Sequence, residues 1–295
     1  MKISGIRTRP YYFTLDRRMG DANFPIGRDD QSGMVLYVDT DEGISGVSLT
    51  SPSVFHAIHS IEPVILGLDP RGVKGIWKRM VDAVFKGGNE GVMGNALSAI
   101  DVAIWDLKSK INGEPLWKTL GGSSRYVRAY ASGIDLPLSD QEIYDLYSSA
   151  ASKGISAGKL KVGLDRESDM RRIGIMQEAL KKSDKPVQLI IDSNEYWSPK
   201  QAIRNIRKIE EKFEIFWAEE PARRWDYRGL KRVSQGITAA VATGENLSDI
   251  KDFMPLMENE AVDIVQVGSG ASGITGLMKV ADMAYGFEIP VSLMN

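Results

Sequence analysis

The chain has 295 residues, with 37 Lys and Arg against 39 Asp and Glu, and a formal net charge of −2. That balance gives no general electrostatic drive toward nucleic acid or an anionic membrane. Cysteine is absent, which excludes disulfides, thiolate metal sites and cysteine nucleophiles, and 43% apolar residues suffice for a large core. No apolar run reaches the ~18 residues of a membrane span. Met1-Lys2-Ile3-Ser4 opens no secretory signal. A soluble, cytoplasmic protein is expected.

Residues 1–122 read as an α+β segment. Lys2–Arg9 and Gly33–Asp39 have strand character, the second running into the turn chemistry of Asp41-Glu42-Gly43. Between them Phe13–Gln31 is polar, rich in Arg and Asp, and reads as a mobile loop. The strongest helical pattern is Asn95–Ile111, where Ala96, Ala99, Ile100, Ala103, Ile104 and Leu107 make one apolar stripe, stopped by Gly113 and Pro115. His56 and His59, the only histidines, stand at helical spacing and are expected to decorate a helix.

From residue 123 to 295 short apolar runs alternate with helix-length segments. Strands are predicted to begin near Val127, Ala157, Val187, Glu214, Ala239, Val262 and Pro290, at spacings of 30, 30, 27, 25, 23 and 28 residues. Asp165–Lys182 and Ser198–Lys212 are helical between them, the second opening on Ser198-Pro199, an N-cap followed by Pro at the first helical position. A repeated strand–helix unit of this kind permits an open doubly wound sheet or a closed barrel. The chain ends at Asn295, straight after the seventh strand, so a closed barrel is expected to lack its last stave.

Polar residues gather where these strands end. Lys159-Leu160-Lys161 closes the second, placing two ammonium groups on one face. Their mutual repulsion and burial lower a lysine's proton affinity, so that one can act as a base. Asp192, Glu219 and Glu245 close the third, fourth and fifth strands, 27 and 26 residues apart. In a barrel these tips converge, and three carboxylates then need a counter-charge, which a hard cation with oxygen ligands, Mg²⁺, supplies. A metal that chelates a carboxylate substrate stabilises the enediolate left when a lysine removes the α-proton. The Gly268–Gly273 run fits GxGxxG, but it lies in the sixth repeat and the next strand ends in Met294-Asn295 without an acidic residue. A tight turn or an anion contact at a helix N-terminus is expected there, not a dinucleotide site.

The ordered set Ala99–Leu107, Leu120-Gly121-Gly122, Lys159-Leu160-Lys161, Asp192-Ser193-Asn194, Glu219-Glu220-Pro221 and Gly244-Glu245-Asn246 resembles the enolase superfamily, in its mandelate racemase and muconate lactonizing branch. The resemblance implies an α+β capping domain (1–122) and a modified (β/α)₇β TIM barrel (123–295). It implies Asp192, Glu219 and Glu245 as Mg²⁺ ligands, Lys161 as base, and Lys159 as its tuning partner and a contact for the substrate carboxylate. Asn194 and Asn246 take supporting roles near the substrate. Phe13–Gln31 becomes a lid whose Arg17, Arg18 and Arg28 suit an anionic substrate, and Ser48–Ser53 a second specificity loop. A homo-oligomer acting on a small carboxylate, with neither nucleic acid nor membrane as partner, is also implied.

The chain departs from that pattern on the far side of the site. Racemase-like members carry a histidine on the seventh strand and an aspartate on the sixth. Here Met294 stands near the first position, and Val267-Gly268-Ser269-Gly270 holds no aspartate and no second lysine. Racemisation needs a proton partner on both faces, whereas loss of a β-hydroxyl needs one base. Dehydration of a sugar acid is therefore expected. The alternatives are a racemase, epimerase or cycloisomerase whose second group comes from Asn295, the lid or further chain, and a non-catalytic relative that keeps the metal.

Overall fold

The computed structural model describes residues 1–294. Two long strands, β1 (Ile3–Asp21) and β2 (Phe24–Thr40), form an antiparallel ribbon, and β3 (Ser45–Thr50) pairs with the inner half of β2. Phe13–Gln31, expected as a mobile loop, is instead the outer half of this ribbon. Tyr12 faces Ser32, Phe13 faces Gln31 and Thr14 faces Asp30. The Tyr12 hydroxyl donates to Asp30, and Arg18 pairs with Asp29 at 3.6 Å. Exposure alternates along the outer half of β1, with Leu15, Arg17 and Met19 half-buried and Asp16 and Arg18 exposed. On β2 Phe24–Ile26 and Arg28–Asp30 are open to solvent, so backbone pairing supplements a weakly apolar inner face. Asp21 closes the tip by accepting from the Asn23 and Phe24 amides at 2.7 and 3.1 Å.

Three helices pack on this sheet: α1 (Phe55–Ile65), α2 (Val73–Val84) and α3 (Gly91–Asn112). All six residues of the predicted α3 stripe are buried, and Gly113 caps it in the left-handed conformation. A side chain at Gly46 would lie 1.9 Å from the Ala103 carbonyl oxygen, so glycine is what lets β3 lie against α3. His59 sits on α1 and pairs with Glu62 at 3.1 Å. The single turn α4 (Leu116–Thr119) leads out of this unit.

Seven strands follow: β4 (Ala131–Ser132), β5 (Ala157–Lys161), β6 (Gln188–Asp192), β7 (Ile215–Glu219), β8 (Ala240–Thr243), β9 (Ile264–Gly268) and β10 (Val291–Met294). They are hydrogen-bonded in sequence order and parallel throughout. The connecting helices are α5 (Asp140–Ser152), α6 (Arg166–Leu180), α7 (Pro199–Glu210), α8 (Tyr227–Ser234), α9 (Ile250–Glu258) and α10 (Gly273–Gly286). Ser198 and Gln201 form the capping box that starts α7. Right-handed crossovers in unbroken order curl such a sheet. Here it curls into a half-barrel far enough for the Tyr130 hydroxyl, beside β4, to reach the Met294 sulfur on β10 at 3.2 Å. β4 and β10 are not paired with each other among the described residues. The strand predicted from Val127 is only two residues long, because Val127, 81% exposed, has no partner strand beside it.

Strand residues divide by parity. Leu160, Leu189, Ile191, Ala218, Val241, Val265 and Val267 pack outward against the helices, while Ile190, Trp217, Ala242 and Ile264 form a separate cluster on the concave side. The strand–helix units meet the N-terminal sheet and helices through α3. Ser98 donates to the Gly270 carbonyl (2.9 Å), Trp105 to the Thr275 hydroxyl (2.9 Å), and Thr275 to Asp101 from both its amide (2.9 Å) and its hydroxyl (2.7 Å). No described helix is long and apolar enough to cross a membrane.

Candidate active site

The concave face is floored by Ile190, Trp217, Ala242 and Ile264, with the Tyr130 ring set edge-on to Trp217 at 5.3 Å. Immediately above this floor the strands turn polar. Strand pairing sets Lys161 beside Asp192 and Asp192 beside Glu219, so three adjacent strands present their last residue at one level. Lys159 lies one step lower on the same face of β5, as period 2 requires. Both lysines are buried, at 2% and 6% exposure, and so are Asp192 and Glu219.

The ammonium groups lie among the carboxylates. Lys161 Nζ donates to Asp192 Oδ2 at 2.5 Å, and Lys159 Nζ bonds Glu219 Oε1 while standing 3.2 Å from Asp192 Oδ2. Burial alone would lower the proton affinity of Lys159, but the charges of Asp192 and Glu219 more than reverse this, so it is held protonated. The carboxylates therefore outweigh the neighbouring ammonium group at Lys159, the residue expected to tune the base. Burial, and after it the charge of Asp192, raise Glu219; the same two causes raise Glu245. Trp217 donates its indole N–H to Glu219 Oε2 at 3.0 Å and fixes that carboxylate from below.

Chain reversals at the strand exits bring in the remaining groups. Asn194, Glu195 and Glu220 all take left-handed backbone angles, with φ of 46°, 59° and 43°. This is strained for residues with side chains and is concentrated here at the mouth of the half-barrel. Gly244, with φ of 129°, turns the chain into Glu245; a Cβ there would lie 2.4 Å from the Gln266 carbonyl oxygen. Asn246 and Asn194 both donate to the buried Glu220 carboxylate, at 2.7 and 3.4 Å.

Lys159, Lys161, Asp192, Glu219, Glu245, Asn194 and Asn246 are therefore gathered at one mouth. Arg17 sits at its rim, donating to the Gly133 carbonyl at 3.3 Å. Arg28 is exposed on the outer ribbon, opposite Met19 and apart from the cluster. Asn295 lies outside the described residues. The ribbon tip reaches the mouth, where Asn23 donates to the Asn194 carbonyl at 2.7 Å and Gly20 pairs with Asp135. The glycine-rich run after β9 is a turn whose anion is internal, since the Asp101 carboxylate occupies the start of α10. The sequence reading missed Glu220, Trp217, Tyr130 and the buried trio Asp135, Tyr147 and Arg172 behind β5. The one available signal was Arg172, a charge on the same helical face as Ile173, Met176 and Ala179.

As placed, no three carboxylate or imidazole groups among the described residues stand close enough to hold a metal ion, because the two ammonium groups lie between them. The donor chemistry nevertheless fits one. Asp192, Glu219 and Glu245 meet at the mouth with Glu220 beside them, and burial and mutual repulsion raise the proton affinity of the three glutamates. A hard divalent cation, whose preferred donors are all oxygen, would relieve that repulsion.

Residues 143–295 match the model of the enolase C-terminal domain-like family, and residues 26–121 that of the mandelate racemase / muconate lactonizing enzyme N-terminal domain. The L-talarate/galactarate dehydratase of Salmonella typhimurium is 29% identical over 96% of this chain and 73% of its own. The 3,6-anhydro-alpha-L-galactonate cycloisomerase of Streptomyces coelicolor is 30% identical over 96% of this chain and 79% of its own. Among solved structures, a racemase from Streptomyces coelicolor with bound magnesium superposes with a TM-score of 0.90 at 28% identity, covering 99% of this chain and 83% of that one.

Proposed function

Since the chain belongs to the mandelate racemase / muconate lactonizing enzyme family of the enolase superfamily, we propose that it is a Mg²⁺-dependent enzyme that removes the α-proton of a hydroxy-carboxylate, and that it dehydrates a sugar acid. Asp192, Glu219 and Glu245 would hold the metal. When bound, Mg²⁺ supplies the positive charge that an enediolate needs. Lys161, at the tip of β5, is the base. Lys159, lower on the same face, holds positive charge beside the substrate carboxylate. Arg17 and the ribbon tip border the anionic end of the substrate, with Asn194 and Asn246 holding Glu220. A cytoplasmic homo-oligomer acting on a small molecule completes this reading.

One observation carries the choice of elimination over isomerisation. Both lysines lie on β5, while the far side of the mouth, at the tips of β9 and β10, offers Gly268 and Met294. A single basic face among the described residues suits syn loss of water, in which one lysine takes the α-proton and returns a proton to the leaving hydroxyl.

Proton NMR in D₂O with Mg²⁺, run on a panel of sugar acids that includes galactarate, tests the reading against Lys161→Ala. Formation of a 2-keto-3-deoxy product by the wild type alone supports it. Deuterium incorporation with inversion and no loss of water would make the protein an isomerase. Silence across the panel with Mg²⁺ bound would make it a binding protein.

A further inference from the structure

In a parallel sheet each residue directs its N–H and C=O to one neighbouring strand, and alternate residues use the same neighbour. Lys159 and Lys161 direct theirs toward β4. That strand ends at Ser132, which pairs with Lys159, and Ile134 then turns left-handed with φ of 49°. From the Lys159 carbonyl onward the lysine-bearing tip of β5 has no strand on this side.

Three buried side chains take the strand's place. The Tyr147 hydroxyl, from α5, bonds the Lys159 carbonyl oxygen. Asp135 Oδ1, from the loop after β4, accepts the Lys161 amide at 2.9 Å. Arg172 Nη1, from α6, donates to the Lys161 carbonyl at 2.8 Å. The three also bind one another. Tyr147 lies 2.6 Å from Asp135 Oδ2, and Arg172 Nη2 donates to the Asp135 carbonyl at 2.8 Å. Asp135 and Tyr147 are wholly buried and Arg172 is 4% exposed. Burying a carboxylate, a phenol and a guanidinium is expensive, and an ordinary strand would have satisfied the same backbone groups without them.

We propose that Asp135, Tyr147 and Arg172 are positioning residues that hold the end of β5 in register, so that Lys159 and Lys161 are aimed at the carboxylates and at substrate. Although the Asp135 backbone meets the ribbon tip at the mouth, the three side chains are buried behind β5, and each acts through the β5 backbone. The proposal rests on the reading of Lys161 as base. Asparagine at position 135 would preserve the arrangement, because its Oδ1 still accepts the Lys161 amide and its Nδ2 donates to the phenolic oxygen. The single phenolic proton is then free for the Lys159 carbonyl. Alanine would remove both contacts.

Hydrogen exchange of individual amides in the full chain, with α-proton exchange of galactarate or whichever panel acid reacts, tests this. In Asp135→Ala the Lys161 amide should exchange at least tenfold faster than in the wild type, while amides of β7 and β8 keep their protection. kcat should fall at least a hundredfold with KM within threefold. Asp135→Asn should restore both. An unchanged Lys161 amide in Asp135→Ala, loosening spread evenly over β6 to β9, or failure of Asp135→Asn to rescue would each overturn the proposal. Should Asp135→Ala not fold, Tyr147→Phe removes one oxygen atom only. It should lower kcat at least tenfold at constant KM, and wild-type kcat in that variant overturns the proposal too. If no acid reacts even with the wild type, the reading of Lys161 as base falls, and the Lys161 amide still decides the positioning role.

Discussion

Replacing Thr275 by valine removes one buried oxygen atom and keeps the shape of the side chain. Thr275 is 2% exposed, and its hydroxyl stands between two partners from α3. It accepts the Trp105 indole N–H at 2.9 Å and donates to Asp101 Oδ1 at 2.7 Å. Without it a buried N–H has no acceptor, at a cost of ~1–3 kcal/mol, and a buried carboxylate loses a charge-assisted bond worth ~1.5–3 kcal/mol. The extra methyl returns ~0.8 kcal/mol of apolar burial, so the net loss is about 2–5 kcal/mol. The loss should also depend on pH. Burial pushes Asp101 up to about 7, against the bonds from Thr275 that pull it down. A carboxyl raised above its ordinary range favours the fold below that range, and this advantage is lost as pH rises through the folded value. Removing a donor raises it further, so Thr275→Val should lose more at pH 8 than at pH 5. Urea unfolding at both pH values measures this. A loss below about 1 kcal/mol at both would refute the idea that the Asp101–Thr275 pair latches the N-terminal helices to α10.

Two further expectations concern the mouth of the half-barrel. Glu219 and Glu220 are both pushed up to about 8 by burial and by neighbouring carboxylates. The metal-free melting midpoint should therefore fall as pH rises from about 5 to about 8, and saturating Mg²⁺ should reverse the fall, by ~2.7 kcal/mol at a hundredfold excess over Kd. Identical pH profiles with and without Mg²⁺ would count against the carboxylates as its site. Gly244→Ala would place a Cβ 2.4 Å from the Gln266 carbonyl oxygen at a backbone angle closed to alanine. A stability loss of ~3 kcal/mol or more and at least tenfold weaker Mg²⁺ binding by calorimetry are expected, since Glu245 follows directly; wild-type binding would refute the turn's role.

The seven parallel strands were legible because each apolar run ends in a polar residue at a regular interval, and that periodicity is a property of the chain alone. Lys159, Lys161, Asp192, Glu219 and Glu245 were legible for the same reason. The ribbon was not. Arg17, Arg18, Arg28, Asp29 and Asp30 look like solvated loop residues, and with Arg17 standing between Leu15 and Met19 on the half-buried face the strand has little hydrophobic period to betray it. Asp135, Tyr147 and Arg172 stayed hidden because a loop and two helices supply them, so their meeting exists only in three dimensions. The charge on Lys159 was not legible, because Asp192 and Glu219, which hold it protonated, lie on other strands.

Residues 13–31, had they been a disordered flap, would have to be ordered each time a ligand was enclosed, at roughly 1–2 kcal/mol of backbone entropy per residue fixed. In the ribbon that ordering is complete once the chain has folded, and its tip is already tied to Asn194 and to the loop around Asp135. Ligand affinity then need not be discounted for the closing of a cover, and the heat-capacity change on binding should reflect the ligand's own buried surface and not that of a folding segment. The mouth of this half-barrel is preorganised thermodynamically as well as geometrically.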